Sequence, residues 1–143
     1  MPYQVPSVVE NDNCKILWNF PIPTTCQLSA TKPDLVIFDR KTNEIFLIEF
    51  SCPAEYNMAA KDAEKKAKYE GLVFDMQKQY PRQKVKLVVL LVGVLGGIEV
   101  AMRKRLESVP HCQKSADFLL MQCQKAVLLG SMNILRHHLG KTF

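Results

Sequence analysis

The chain has 143 residues, of which 48% are apolar and 23% charged, a composition that excludes a disordered segment and is typical of a soluble globular domain. Its formal net charge of +5 favours an anionic partner such as nucleic acid without requiring one. Five cysteines without any Cys-x-x-Cys pair argue against a zinc ribbon and indicate free thiols in a reducing, nuclear or cytoplasmic compartment.

Membrane insertion is not expected from the sequence. The start of the chain lacks the apolar core of a signal peptide. The most apolar run, Val85–Val94, is interrupted by Lys86 and is too short to span a bilayer. We therefore expect one intracellular domain over residues 1–143, with no membrane partner.

The N-terminal third is predicted to contain one strand between irregular segments. Residues 1–14 are polar, and we expect them to be irregular or to form a short helix around Val8–Glu10. Residues 15–20 alternate enough to predict a strand, with Trp18 packed in the core. The prolines and hydroxyl residues of 21–33 indicate a loop.

Two strands follow, and they carry the most informative feature of the sequence. Residues 34–39 and 45–52 are rich in Val, Ile and Phe, which favours strands. The polar turn Arg40–Glu44 between them would fold the chain back, so we expect the two strands to pair. Pro53 ends the second strand.

The rest of the chain alternates helices with one buried strand. Apolar residues recur at steps of three and four within 55–80, which predicts an amphipathic helix. The near-continuous apolar run 85–93 is typical of a strand covered on both faces. A basic helix over 98–109 and a final helix over 113–139, with Gly130 as a point where it could bend, complete the chain. The order predicts an α/β fold with a mixed central sheet buried by helices.

Asp34 and Glu49 are the candidate catalytic pair. Asp34 begins the first of the two paired strands and Glu49 lies on the second, so the turn would bring both carboxylates together. Two carboxylates in an apolar environment repel each other unless a cation lies between them. Mg²⁺ or Mn²⁺ would fit, and such an ion can activate water and stabilise a phosphate under attack. Alternatively, Glu49 is an edge-strand charge and Asp34 caps a strand start.

A stripe of lysines follows the second carboxylate. Lys61, Lys65 and Lys68 are spaced along one face of the predicted helix. A lysine close to the carboxylates could orient water or stabilise charge on a phosphate. The alternative is a solvated helix face whose lysines pair with Asp62 and Glu64.

Several sequence blocks together resemble the restriction-enzyme-like endonuclease of site-specific non-LTR retrotransposons. That family carries Lys/Arg-Pro-Asp followed, after a dozen or so residues, by Asp or Glu, and belongs to the PD-(D/E)XK nucleases. The resemblance implies a restriction-endonuclease-like mixed central sheet flanked by helices. The matching blocks, in chain order, are ENDNCKILWNFPI, KPDLVIFD, FLIEFSCP, EKKAKY, VVLLVGVLGGI and QKAVLLGSMNILRHHL.

The resemblance assigns roles to particular positions. Asp34 and Glu49 match the metal-binding carboxylates. The wider fold places a lysine two residues after the second carboxylate, whereas this chain has Ser51 there. The strand therefore has no lysine at that position, and a catalytic lysine would have to come from elsewhere in the chain.

The retrotransposon branch places its lysine on the following helix, in a K-x-x-K-Y pattern. Lys65, Lys68 and Tyr69 match that pattern, and either lysine could be the functional one. Glu10 loosely matches an acidic residue that the first helix of the fold often contributes. Asn19 stands where many relatives have Asp, which would impair catalysis if that Asp takes part.

Further basic residues are candidates for contact with a DNA backbone. Lys61 and the helix residues Arg103, Lys104 and Arg105 could touch phosphates, although a solvated helix face explains them equally well. The glycine-rich segment 93–97 opens a helix and its amides could meet a phosphate. It lacks the lysine of a nucleotide P-loop, which favours a plain turn.

The leading expectation is a magnesium-dependent DNA endonuclease, a hydrolase domain that nicks target DNA for target-primed reverse transcription. Its partners would be DNA and a reverse transcriptase module with its RNA, which this chain does not encode. One alternative is a catalytically impaired or domesticated module that binds nucleic acid or a protein without cutting. A small scaffold with no role on nucleic acid is the third possibility.

Overall fold

The computed structural model of the protein describes residues 6–110 and 112–139. Within them lie five strands, a 3₁₀ turn and three α-helices. The strands are β1 Val8–Glu10, β2 Cys14–Trp18, β3 Leu35–Asp39, β4 Glu44–Ser51 and β5 Lys84–Leu91. The 3₁₀ turn is Glu55–Asn57, and the helices are α1 Met58–Gln79, α2 Val100–Glu107 and α3 Ala116–Leu139.

The strands form one sheet in the order β1-β2-β3-β4-β5, and the first three pairs are antiparallel. β5 runs parallel to β4, because equivalent ends are bonded to each other. The Lys84 N–H donates to the carbonyl of Asn43 at the start, and the Val92 N–H donates to that of Ser51 at the end. The mixed α/β architecture expected from the sequence is therefore confirmed.

β1 corrects the expectation of an irregular or helical N-terminal segment. Val8–Glu10 pairs with β2, with Val8 opposite Leu17. The side chain of Asn11 accepts the backbone N–H of Asn13 at 2.8 Å and of Cys14 at 2.9 Å, which closes the turn between the strands. Three exposed residues are too few to show alternation, so the pairing with β2 decides their conformation.

The hairpin of β3 and β4 forms as predicted, with Asp39 directly opposite Glu44. The carboxylate of Asp39 accepts the N–H of Lys41 at 3.1 Å and the hydroxyl of Thr42 at 3.0 Å, so it organises the turn. Asn43 has a φ of +58°, a left-handed conformation that asparagine adopts more readily than most residues. These features of the turn fix the register of the two strands, and that register places Asp34 opposite Glu49.

Contacts divide the chain into two compact units, and the first comprises residues 1–50 and 63–89. Its core is the packing of α1 on one face of the sheet, as the helical periodicity predicts. Trp18 is an exception, because 41% of its surface is exposed where the sequence predicted burial. The buried core residues are Leu17, Ile22, Ala30, Val36, Ile45, Leu47, Tyr69, Leu72, Met76 and Val85.

The second unit comprises residues 51–62 and 90–143, and its glycine-rich turn is bound by a carboxylate of the same chain. Glu55 accepts the N–H of Leu95 at 2.7 Å. A Cβ on Gly93 or Gly97 would collide with that carboxylate, so a larger residue at either position would displace the Glu55 side chain. The turn therefore accommodates an internal anion, which agrees with its interpretation as a plain strand-to-helix turn.

α3 is one continuous helix through Gly130. Within the second unit, Gln124 donates to the carbonyl of Gly96 at 2.8 Å and Ser131 donates to that of Val94 at 2.7 Å. Much of the remaining surface of the helix is apolar and exposed. By length and composition alone, Ala116–His137 is the one described helix that could cross a membrane, and its most apolar 18-residue window contains no buried residue.

The five cysteines are free thiols, which agrees with the interpretation from their spacing.

Candidate active site

Asp34 and Glu49 face each other across β3 and β4. The register pairs Leu35 with Ile48, so the next position outward pairs the two acids. The Phe50 N–H donates to Oδ2 of Asp34 at 2.8 Å, and the Asp34 N–H donates to Oε2 of Glu49 at 3.1 Å. Each carboxylate is thus held by a backbone N–H from the strand that carries the other, and the pair is fixed by the hairpin itself.

The pair lies on the sheet face that α1 covers. Glu49 follows Ile45 and Leu47 at alternate positions of β4, and both of those side chains are in the core packed on α1. Only 4% of Glu49 is exposed, whereas Asp34 is half-buried. A buried carboxylate requires strong compensation, and α1 supplies it.

Lys65 of α1 provides that compensation. Its Nζ lies 3.1 Å from Oε1 of Glu49, and the two side chains are only 16% and 6% exposed. Lys65 contacts Glu49, whereas the Asp34 carboxylate accepts its hydrogen bond from a neutral backbone N–H.

Tyr69 lies one helical turn after Lys65 on the same face of α1. It is buried, and its hydroxyl donates to the carbonyl of Lys32 at 3.3 Å. Burial, followed by the negative charges of Glu49 and Asp34, raises the pKa of this phenol well above its ordinary value of 10.0. The phenol therefore stays protonated throughout the physiological range, and here it donates its hydrogen bond as a neutral group.

The structure separates the two candidate lysines. Lys65 reaches Glu49, whereas Lys68 is exposed, with its ammonium 5.2 Å from the centre of the Tyr69 ring. A residue four positions before Tyr69 shares its face of the helix, while a residue directly before it does not. The third lysine of the stripe, Lys61, is half-buried near the start of α1.

Glu10 is not brought to the pair. It lies on a strand rather than on a first helix, and it forms an ion pair with Arg40, whose hydrogen bond lowers the pKa of Glu10. It is opposite Lys15, which is in turn opposite Phe38. That row is four residues along β3 from Asp34, or roughly 13 Å at the rise of a strand.

Ser51 is the last residue of β4, half-buried, two residues beyond Glu49. In the wider nuclease fold that the sequence resembles, this position carries lysine; here the ammonium group in contact with Glu49 comes from Lys65 of α1. Asn19 adopts a left-handed φ of +50°, and its N–H donates to the carbonyl of Asp34 at 2.9 Å. Asparagine is one of the residues that tolerate this conformation, which gives Asn19 a backbone role beside the site.

The basic run of α2 is largely occupied by contacts within the second unit. Arg105 binds both oxygens of Asp62, at 2.7 and 2.9 Å, and this pairing raises the pKa of the guanidinium. Arg103 forms ion pairs with Glu107 at 2.9 Å and Asp117 at 3.2 Å. The sequence made both arginines candidates for DNA contact, with a solvated helix face equally plausible, and the structure gives each of them acidic partners in the fold.

Lys104 is exposed, as is Arg103, but within the part of the chain that the structure describes Lys104 forms no ion pair. It therefore remains available to a phosphate backbone, in contrast to Arg105. Nothing in the local sequence distinguishes the two positions, because Asp62 lies far away along the chain.

The backbone partners of the site had no sequence signal. The N–H groups of Phe50 and Asn19 and the carbonyl of Lys32 take part through strand register and loop geometry, which side-chain type does not reveal. Within residues 6–110 and 112–139, no three or more His, Cys, Asp or Glu side chains come together, so the acidic constellation is a pair. Mg²⁺ is commonly held by one or two carboxylates with water in its remaining positions, so a pair fits this ion.

Comparisons of the chain with protein-family models, with curated proteins and with solved structures find no match.

Proposed function

We propose that the chain is a metal-dependent DNA endonuclease domain that hydrolyses a phosphodiester bond at Asp34 and Glu49. The observation that carries the proposal is the geometry of the pair. Two acids distant in sequence are opposed across two strands, and an ammonium group lies 3.1 Å from one of them. The resemblance of the sequence to retrotransposon nucleases supports the same roles for the same residues.

The residues of the pair suit a divalent cation. Like charges directly opposite on neighbouring strands destabilise a sheet, and a bound cation would offset this repulsion between Asp34 and Glu49. Asp34 and Glu49 would hold Mg²⁺ or Mn²⁺ through their carboxylate oxygens. A bound ion of this kind lowers the pKa of a water molecule and stabilises negative charge on the phosphate.

Lys65 and Tyr69 complete the site from α1. Lys65 neutralises one of the two acids and keeps Glu49 in place, so its ammonium is also close to any phosphate that reaches the pair. Tyr69 is a protonated hydrogen-bond donor, and burial raises its pKa further. Both groups are set on a helix that is held to the core by the buried side chains of Leu72 and Met76, which gives them fixed positions.

DNA is the substrate that the charge of the chain favours. The net charge is +5, and Lys32, Lys68 and Lys104 are exposed. Such lysines contact phosphates without reading sequence, so they would position a DNA strand rather than select a target. The expected reaction is a nick that leaves a 3′ hydroxyl to prime reverse transcription by a module outside this chain.

A second function, nucleic-acid binding without cleavage, is favoured by one observation. Ser51 occupies the position of the usual lysine, and both acids of the pair already have hydrogen-bond partners in the fold. A pair satisfied in this way could be retained for stability alone.

Nicking of supercoiled plasmid separates the two functions. With Mg²⁺ or Mn²⁺ we expect the wild-type protein to convert supercoiled DNA into open circles. Asp34→Ala and Glu49→Gln should each reduce the rate at least about a hundredfold. Asp12→Asn, which removes an exposed acid elsewhere, is the matched control and should retain full activity. DNA binding by all four proteins with no metal-dependent nicking by any of them would favour the second function.

A further inference from the structure

Three large aromatic side chains are exposed around Asp34. Trp18 is 41% exposed, Phe20 39% and Phe50 40%. Aromatic residues bury the largest apolar areas of any side chains, so three of them in water at one place indicate a surface that something else covers. None of the three takes part in the chemistry proposed for the carboxylate pair.

The backbone places these aromatic residues next to the pair. The N–H of Phe50 is the group that holds the Asp34 carboxylate, at 2.8 Å. Trp18 is opposite Leu35, and the residue after it, Asn19, donates its N–H to the Asp34 carbonyl at 2.9 Å. Phe50 is therefore bonded to the site directly, whereas Trp18 and Phe20 flank Asn19, the residue whose N–H is bonded to it.

Strand alternation shows how the surface is arranged. Trp18, Leu35 and Ile48 are register partners across three strands and share one sheet face. Phe50 lies two residues beyond Ile48 on that face, which is the face opposite to Glu49. From strand spacing and rise, Trp18 and Phe50 are roughly 12 Å apart, a distance of about two nucleotides of an extended strand.

We infer that Trp18, Phe20 and Phe50 form a stacking surface for unpaired nucleobases beside the carboxylate pair. The substrate class is accordingly single-stranded or locally melted DNA. This inference rests on the proposed nuclease function and names the form of DNA that its site accepts. A strand crossing the end of the sheet would present a phosphate to the acids and neighbouring bases to the aromatic face.

Stacking explains why the partner is an unpaired strand rather than a duplex. In a duplex the faces of the bases are covered by their neighbours, and aromatic side chains reach them only when a base is unstacked. Stacking on an aromatic side chain also tolerates any base, because every base has a π-face. Exposed Lys32, two residues before Asp34, adds a positive charge for the backbone.

Trp18 itself reports the interaction, because it is the single tryptophan of the chain. A short oligodeoxythymidine is titrated into the full-length protein in EDTA, so that nothing is cleaved, while the emission of Trp18 is recorded. We expect saturable quenching by the single strand and weaker quenching by a blunt duplex of the same length. Free tryptophan amide under the same titration corrects for absorption by the DNA.

Variants locate the contact. Phe50→Ala and Trp18→Ala should weaken binding of a fluorescently labelled oligodeoxythymidine about five- to a hundredfold by anisotropy, whereas Trp18→Phe retains most of the affinity. Phe74→Ala is the matched control, since Phe74 is also exposed but lies on α1, and it should bind like the wild type. Circular dichroism confirms that each variant is folded.

The outcomes distinguish failure of this inference from failure of the nuclease proposal. Metal-dependent nicking together with unchanged Trp18 emission, or equal affinity of all the variants, would overturn the stacking surface and leave the nuclease standing. Quenching without nicking would support the stacking surface and favour the non-cleaving module. No binding of single strands at low salt would overturn the stacking surface outright.

Discussion

Asp75 and Glu49 are both buried acids in the first unit, with 2% and 4% of their surface exposed, yet their surroundings differ. Asp75 is alone, and it accepts hydrogen bonds from the backbone and hydroxyl of Thr25 and, at 2.8 Å, from the amide of Gln79. These donors are neutral, and the Thr25 hydroxyl is the main cause of its lowered pKa. Glu49 instead faces a second acid and depends on the charge of Lys65.

The difference separates a structural acid from a candidate functional one. Around Asp75 the hydrogen-bonding capacity is filled by the fold, and no further partner is required. Around Glu49, Lys65 contacts one of two carboxylates, and the other accepts a neutral backbone N–H. Burial alone would not have distinguished them, whereas the sign and number of their neighbours do.

The largest expected effect tests the difference between Glu49 and Asp75 directly. Glu49→Gln should reduce metal-dependent nicking at least about a hundredfold with little loss of stability, because it relieves repulsion within the pair. Asp75→Asn should do the reverse, lowering the midpoint of thermal unfolding by several degrees while nicking below that temperature is retained. Plasmid nicking rates and calorimetry on both variants measure this. Loss of nicking in Asp75→Asn at a temperature where it is folded would contradict the distinction.

The two lysines of α1 give the next largest effect. Lys65→Met should slow single-turnover nicking about ten- to a hundredfold, whereas Lys68→Met should leave it within about twofold. Lys65→Met also leaves Glu49 buried without its partner, which costs about 2 kcal/mol of unfolding free energy in urea. The double variant with Glu49→Gln should regain much of that stability and none of the activity. A slower rate in Lys68→Met alone would reassign the functional lysine.

A smaller effect is expected in the second unit. Arg105→Lys loses the two-pronged contact with Asp62 and should lower the unfolding free energy by about 1 kcal/mol without changing DNA affinity. Lys104→Gln is the matched comparison, with stability unchanged and a shallower salt dependence of binding. Urea unfolding and anisotropy at several salt concentrations measure both. Weaker DNA binding by folded Arg105→Lys would restore Arg105 to the DNA interface.

The smallest effect is the pH dependence of the Asp75 contribution. A carboxyl group whose folded-state pKa is lowered stabilises the fold above its unfolded value, and that stability is lost as pH falls through the folded value. With an ordinary value of 3.8, the stability gap between wild type and Asp75→Asn should be constant near neutral pH and narrow below about pH 4. Thermal melts of both proteins from pH 7 to pH 3 measure this difference in stability. A difference that increases in acid would contradict a lowered pKa for Asp75.

The hairpin and its acidic pair were predictable because both rest on local signals. Two runs of β-branched and aromatic residues around a polar turn specify a hairpin, and alternation then places Asp34 opposite Glu49. The short strand β1 had no such pattern and depends on its partner β2. The choice of Lys65 over Lys68 required the phase of α1 relative to the sheet, which residue spacing alone does not give.

Side-chain partners that are distant in sequence were the part that could not be predicted. Arg105 and Lys104 look equivalent in a basic run, and only the fold pairs one of them with Asp62. Trp18 was expected in the core because tryptophan is usually buried, yet it is the last residue of β2 and remains 41% exposed. Both errors concern which residues contact a side chain, and those contacts depend on tertiary packing.

The mutual anchoring of Asp34 and Glu49 by backbone N–H groups means that the site needs no ligand to assemble it. The entropic cost of bringing the two acids together is incurred when the hairpin folds, so it does not weaken the later binding of a metal or DNA. Under the proposed function, assembly of the active site and folding of the hairpin are one cooperative event. On heating, the temperature at which activity disappears should coincide with that at which the β3–β4 hairpin opens to hydrogen exchange, with no earlier loosening of the site.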